Sequence, residues 1–233
     1  MKILALDSTE NTASVAITED GKLIASSVIN AGRSHSELLL PLIQNLLEHN
    51  KLKASDIDLF ACSVGPGSFT GVRIGVSTIK GLAFGLNKAC VGISTLEGLA
   101  YNYIGFNGII CPCMDARCSQ LYNAIFRIKN GVLERLTPDR TIPASELSNE
   151  LENYNESIYF CGGGEHIIAE LCKNNVSVQK TPEILKHQNG YSVALCAYNI
   201  YKNEPEKILS DAELNVTYLR PSQAERMKNG EKD

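Results

Sequence analysis

Apolar and polar positions change their period several times along the chain. Residues 2–7 (KILALD), 12–19 and 22–29 read as three short strands, and Asp20-Gly21 supplies the left-handed positions of a two-residue hairpin turn between the last two. The period then becomes helical. Ser34-His35-Ser36-Glu37 has the spacing of a capping box, in which the Glu37 N–H would donate to the Ser34 hydroxyl and the Ser34 N–H to the Glu37 carboxylate. Leu38, Leu42 and Leu46 share one face with Leu39, Ile43 and Leu47, and Pro41 inside that stripe predicts a kink. Residues 58–64 (DLFACSV) read as a buried strand, followed by the loop 65–71 (GPGSFTG) and a second helix to about Gly85. The order is βββαβα.

The pattern partly repeats. Residues 109–115 (IICPCMD) again end in Asp, and two strands, 119–127 and 132–137, follow around Asn130-Gly131. Next come a helix near 143–152, a strand at 157–161, Gly162-Gly163-Gly164, a helix at 165–174 and an amphipathic helix at 190–203. Two βββαβα-type lobes, each with an Asp ending its first strand and glycines before a later helix, suggest an α/β fold of the actin/hexokinase/Hsp70-like (ASKHA) class. The expected lobes are 1–104 and 105–221, with a loose polar tail over 222–233.

Composition narrows the function. With 44% hydrophobic residues among 233 the chain can bury a core, and a net charge of −4 leaves no basic excess to track a phosphate backbone unaided. The first apolar run meets Asp7 before a signal core could form, and no stretch approaches about 18 apolar residues. A soluble cytoplasmic protein is expected, with no membrane role. Eight cysteines spread over strand-like and helix-like segments read as reduced thiols.

Candidate chemistry is sparse. The loop 65–71 invites a phosphate-binding reading, but a Walker A loop would need Gly and Lys where Thr70 and Gly71 stand, and a tight structural turn feeding a packed helix fits better. Asp7-Ser8-Thr9 has the form of a first phosphate loop or of an ordinary turn; Gly162-Gly163-Gly164 could pass a base over bare backbone or simply join strand to helix. Cys111, Cys113 and Cys118 lack the paired spacing of a zinc site, the histidines make no H-x-x-x-H pair, and no G-x-S-x-G elbow is present. The second helix is the most informative segment, because Gly71, Gly75, Gly81 and Gly85 each oppose helicity by about 1 kcal/mol. Close packing must offset this, either within the chain or against another one.

The string Gly65-Pro66-Gly67-Ser68-Phe69-Thr70-Gly71-Val72-Arg73-Ile74-Gly75, taken with 3–8 (ILALDS), Ser34-His35-Ser36 and Met114-Asp115-Ala116-Arg117, resembles the glycoprotease-like family in its non-catalytic branch. The similarity covers 1–127 and resumes at Tyr218-Leu219-Arg220, with Val216 where the family usually has a proline. The resemblance implies an ASKHA fold and a scaffold subunit in the synthesis of N6-threonylcarbamoyladenosine (t6A) in tRNA. Its implied partners are the catalytic paralogue TsaD and the ATPase TsaE, with a homodimer when alone and tRNA met only through the complex.

Dimers are implied to form through the first two helices, here 35–49 and 70–86. His35, Leu38, Leu39, Leu42, Arg73, Gly75, Val76, Ile79 and Lys80 are then the interface candidates, with Gly75 at the closest backbone approach. The catalytic paralogue carries a metal-binding His-Leu-Glu-Gly-His where this sequence reads Thr95-Leu96-Glu97-Gly98-Leu99. Threonine is a poor ligand and leucine none, so the resemblance implies no catalytic residue, no metal and no required cofactor, with weak nucleotide binding at most. Two alternatives remain: an ASKHA-type ATP phosphotransferase using Asp7 or Asp115, and a metallopeptidase-like hydrolase, against which the missing imidazoles count.

Overall fold

The structure, a computed structural model, describes residues 1–30, 34–175 and 177–220. Strands β1 (Lys2–Asp7), β2 (Ala13–Glu19) and β3 (Lys22–Ile29) form the expected antiparallel meander, with Asp20 and Gly21 at φ 50° and 77° in the turn. Helix α1 (His35–His49), β4 (Leu59–Gly65) and α2 (Phe69–Leu86) follow in the expected order. Two further elements, β5 (Ala89–Ser94) and α3 (Thr95–Tyr101), extend it. β4 runs parallel to β1 and β5 parallel to β4, giving the order β3-β2-β1-β4-β5.

The capping box does not form. The Glu37 N–H donates to the Ser34 carbonyl at 3.0 Å, while the Ser34 hydroxyl lies 2.6 Å from that of Ser36, a local partner that competes for it. α1 continues through Pro41 without a break.

The second half contains β6 (Gly108–Asp115), β7 (Gln120–Asn123), β8 (Phe126–Lys129), β9 (Val132–Arg135), β10 (Arg140–Pro143), α4 (Ala144–Leu151), β11 (Ile158–Cys161) and α5 (Glu165–Leu171), before the last helix, α6 (Gly190–Asn203). The single strand expected over 119–127 is two. Both lie against β6 in one register, from Gly108↔Ile128 to Ile110↔Phe126 and from Cys113↔Asn123 to Asp115↔Leu121. The gap faces Cys111 and Pro112, and Pro112 has no N–H to give the ladder. Asn123 compensates by donating its side-chain amide to the Pro112 carbonyl at 2.9 Å, and Ile125 turns away to take the Thr137 hydroxyl at 2.8 Å. The run expected over 132–137 ends likewise at Arg135 and resumes as β10 against β7. With β11 parallel to β6, the second half repeats the β3-β2-β1-β4 arrangement, α4 and α5 standing for α1 and α2.

The chain divides into two compact units, Met1–Tyr101 with Gln188–Thr217, and Asn102–His187 with the described residues from Tyr218 to Arg220. The boundary expected at 104 falls close to the observed one, but the second lobe does not run unbroken to 221; the tail over 222–233 lies outside the described residues. The reason is apolar burial. α6 packs Val193, Ala194, Ala197 and Ile200 onto Ile3, Ala5, Leu59 and Ala61 of the first sheet. On the opposite sheet face, Leu4, Leu6, Val15 and Ile17 meet Leu39, Ile43, Val76 and Ile79 of α1 and α2, each worth about 1.5–3 kcal/mol when fully buried. In the second unit Ile109, Cys111 and Cys113 pack on Leu147, Leu151 and Ile168 of α4 and α5. Among the described residues no helix is long and apolar enough to cross a membrane.

Candidate functional site

The end of β1 is closed on itself. One Asp7 carboxylate oxygen accepts from the Thr9 N–H at 2.8 Å and its hydroxyl at 2.7 Å, and the other accepts from Ser63 at 2.5 Å. Burial pushes the Asp7 carboxyl above its ordinary range, and the Ser63 and Thr9 bonds only partly oppose this. The Ser8 hydroxyl donates to the Gly71 carbonyl at 2.9 Å, and the Ser68 N–H to the Thr9 carbonyl at 2.7 Å. Asp7, Ser8 and Thr9 are all fully buried, and their polar atoms hold the first strand to the loop before α2. Ser68 serves as the N-cap of α2, accepting from the Gly71 N–H at 3.3 Å, which makes 65–71 a structural turn with a cis Gly65-Pro66 bond.

The four glycines of α2 divide by face. A Cβ at Gly71 would overlap the Ser8 carbonyl oxygen, and one at Gly75 would lie 2.6 Å from the Ser8 hydroxyl and 3.1 Å from Leu6. Gly75 therefore faces its own core, correcting the expectation that it meets a partner. Leu39, Leu42, Val76 and Ile79 are likewise core residues. His35 brings its Nε2 within 2.6 Å of the Glu10 carbonyl, and Lys80 donates to the Leu214 carbonyl at 2.9 Å. Leu38 is half-buried. Arg73 is exposed and lies over the Phe69 ring at 4.0 Å. By contrast, a Cβ at Gly81 or Gly85 would meet nothing within 4 Å among the described residues. Beside them Phe84 is 76% exposed, and on α1 Leu40 is 55% exposed. Amphipathic spacing pointed at the inner face of these helices and passed over the outer one.

In the second unit, the Gly164 N–H donates to the Cys113 carbonyl at 2.9 Å, and a Cβ there would stand 2.9 Å from the Asp115 nitrogen. Gly162 is buried at φ 87°, its N–H bound to the Lys186 carbonyl at 2.8 Å; Gly163 is exposed. The triplet thus seats α5 on β6. A cleft of about 730 Å³ beside α5 is lined by Phe160, Glu165, His166, Lys180, Glu183 and Lys186 among others, and Lys186 pairs with Glu165 at 2.6 Å and Glu183 at 3.4 Å.

Asp115 is exposed, and its carboxylate accepts from the Arg117 N–H at 2.7 Å. Arg117, Cys118 and Ser119 then take φ 69°, 53° and 56°, three successive non-glycine residues in the left-handed region, at about 1–3 kcal/mol each. Nothing in the string Ala-Arg-Cys-Ser signals this turn. Thr95 and Leu99 are fully buried on α3, and among the described residues no three His, Cys, Asp or Glu side chains are placed to hold a metal ion.

The duplicated strand order is that of the ASKHA class. A crystal structure of an uncharacterized Pseudomonas aeruginosa protein with similarity to the peptidase YEAZ aligns with a TM-score of 0.80 at 23% identity, covering 94% of this chain and 99% of that one. Component A of the (R)-2-hydroxyglutaryl-CoA dehydratase of Acidaminococcus fermentans aligns at 0.51 with 11% identity, over 87% of this chain and all of that one. The family model described as TsaD, tRNA N6-adenosine threonylcarbamoyltransferase, matches residues 26–227. The tRNA threonylcarbamoyladenosine biosynthesis protein TsaB of Bacillus subtilis is 34% identical over 162 residues, covering 70% of this chain and 71% of the relative. The chain belongs to this TsaB/TsaD family.

Proposed function

We propose that this chain is a non-catalytic subunit of the t6A synthesis machinery. It binds a TsaD paralogue, or a second copy of itself when alone, through the outer face of α1 and α2. The observation that carries the interface is the pair Gly81 and Gly85. Each weakens an exposed helix by about 1 kcal/mol against Ala, and among the described residues no neighbour needs the space. A partner helix seated in that notch beside Phe84 would account for both the glycines and the exposed ring, and Leu40 adds a second exposed apolar side chain on α1.

The non-catalytic role is supported by Thr95 and Leu99, which stand where the catalytic paralogue has its imidazoles and offer no adequate metal ligand. No cofactor is required of such a subunit, and the β1 end has its polar atoms engaged internally. TsaE joins through the assembled pair, and tRNA is met by the complex.

The test is light scattering after size exclusion, with and without TsaD, on wild type and on Phe84→Asp. Phe84 is exposed, so the variant should melt with the wild type while association weakens about tenfold or more. Undiminished association would overturn the interface. Threonylcarbamoyl transfer to tRNA by the chain without TsaD, in the presence of zinc or iron, would overturn the non-catalytic role.

A further inference from the structure

We infer that the turn between β6 and β7 is a contact point for the phosphodiester backbone of RNA, with Arg117 as the residue that reaches the anion. This rests on the reading of the chain as a t6A subunit, but on residues of the second unit remote in sequence from α1 and α2.

The turn is exposed and yet fully determined. Asp115 holds the Arg117 N–H at 2.7 Å, the Ala116 N–H donates to the Gln120 carbonyl at 3.0 Å, and the Gln120 N–H donates to the Arg117 carbonyl at 3.0 Å. From outside, the Ala144 N–H donates to the Ser119 carbonyl at 3.1 Å, and Arg220 donates from Nη1 to the Ala116 carbonyl at 2.5 Å. Five hydrogen bonds thus hold three non-glycine residues in a conformation that L side chains disfavour. Arg117, Cys118 and Ser119 are all exposed, so none of these side chains is buried by adopting it.

Beside the exposed Asp115 carboxylate the turn presents a cation, Arg117. Arg117 is 80% exposed, and its ion pair with Asp115 is long at 3.9 Å. The Arg220 guanidinium is anchored one residue away, and Tyr218, 44% exposed, precedes it by two. The exposed Arg117 guanidinium on a preorganised turn, with the Arg220 guanidinium held at the Ala116 carbonyl, matches a phosphodiester, the guanidinium fork pairing phosphate oxygens. The net charge of −4 makes such a contact local and weak by itself, in keeping with RNA held by a complex.

The experiment uses an unmodified tRNA transcript as probe, with the full chain both alone at low salt and mixed with TsaD. Cys118 is the exposed one of eight free thiols and adjoins Arg117, so its alkylation by iodoacetamide reports occupancy of the turn. Saturating tRNA should slow that alkylation several-fold. Arg117→Glu should weaken tRNA binding about 3–10-fold and lower the slope of log K against log salt by about one, while Arg117→Lys keeps most of both. Unchanged alkylation together with unchanged affinity and slope overturns the inference. Protection of Cys118 by TsaD before any RNA is added overturns it in favour of a protein contact. Failure of the chain to associate with TsaD would defeat the subunit reading instead, and the arm with the chain alone would still decide about Arg117.

Discussion

The ends of β1 and β6 occupy equivalent places in the two halves and are put to opposite uses. Each strand ends in an Asp, and each Asp sits beside a glycine that lets a following helix press on backbone: Gly71 on Ser8, Gly164 on Asp115. At β1 the carboxylate is buried and fed by three donors from within the unit. At β6 the carboxylate is exposed and braces a turn in the left-handed region. The helices differ in the same sense, since α2 runs over 18 residues and α5 over 7. Duplicated topology fixes where a loop and a helix start meet, whereas side-chain closure decides whether that meeting is a joint or an exposed feature.

Five substitutions test this contrast, and the largest effect is expected at Gly71. Gly71→Ala pushes a methyl into the Ser8 carbonyl, a rigid neighbour, and should cost at or above the upper end of the 1–3 kcal/mol range for overpacking, lowering Tm by about 6–12 °C. Gly164→Ala, whose neighbours include the movable Leu121 side chain, should cost less in the same melting experiment. Equal losses would erase the distinction between the two seats. Next, Asn123→Ala removes the donor that serves the Pro112 carbonyl and should destabilise by about 1–3 kcal/mol in urea titrations; an unshifted midpoint would mean that the broken ladder needs no such support.

A smaller effect of opposite sign is expected on the outer face of α2. Gly85→Ala should stabilise the isolated chain by about 0.5–1 kcal/mol while weakening association, since a methyl there meets nothing among the described residues but would enter the notch. A gain in stability with full association would assign the glycine to neither role.

The smallest concerns Asp7. Its folded-state pKa lies above its ordinary value, so the folded chain takes up a proton before the unfolded one does as pH falls. Wild type should therefore gain stability relative to Asp7→Asn as pH drops from 7 through the raised pKa, the difference levelling off below the ordinary value of 3.8. The opposite trend in Tm against pH would mean that the Ser63 and Thr9 bonds outweigh burial.

The meander, both Asp-ended strands and α1, α2, α4 and α6 were legible because their apolar periods are regular and their turns carry Asp-Gly or Asn-Gly. β5 and α3 were not, since ACVGIS and TLEGLAY are short, contain glycine and merge into one apolar run without a breaker. The split between β7 and β8 depends on Pro112 in a strand that pairs at a distance in sequence, so no local reading of 119–127 could find it. Interface candidates suffered from the reverse problem. The strongest apolar stripe on α2 marks the core, and the informative positions, Gly81, Phe84 and Gly85, lie off it.

The return of α6 to the first sheet also sets a schedule for synthesis. The sheet face carrying Ile3, Ala5, Leu59 and Ala61 is made early but cannot be covered until the segment Gln188–Thr217 has left the ribosome. At 5–20 residues per second that leaves an oily surface waiting for about 6–23 s after Tyr101 is added. The second unit, contiguous over Asn102–His187 apart from its last few residues, can fold within that interval. Nascent chains of this protein should therefore engage holdase chaperones through their first hundred or so residues and let go only when α6 arrives.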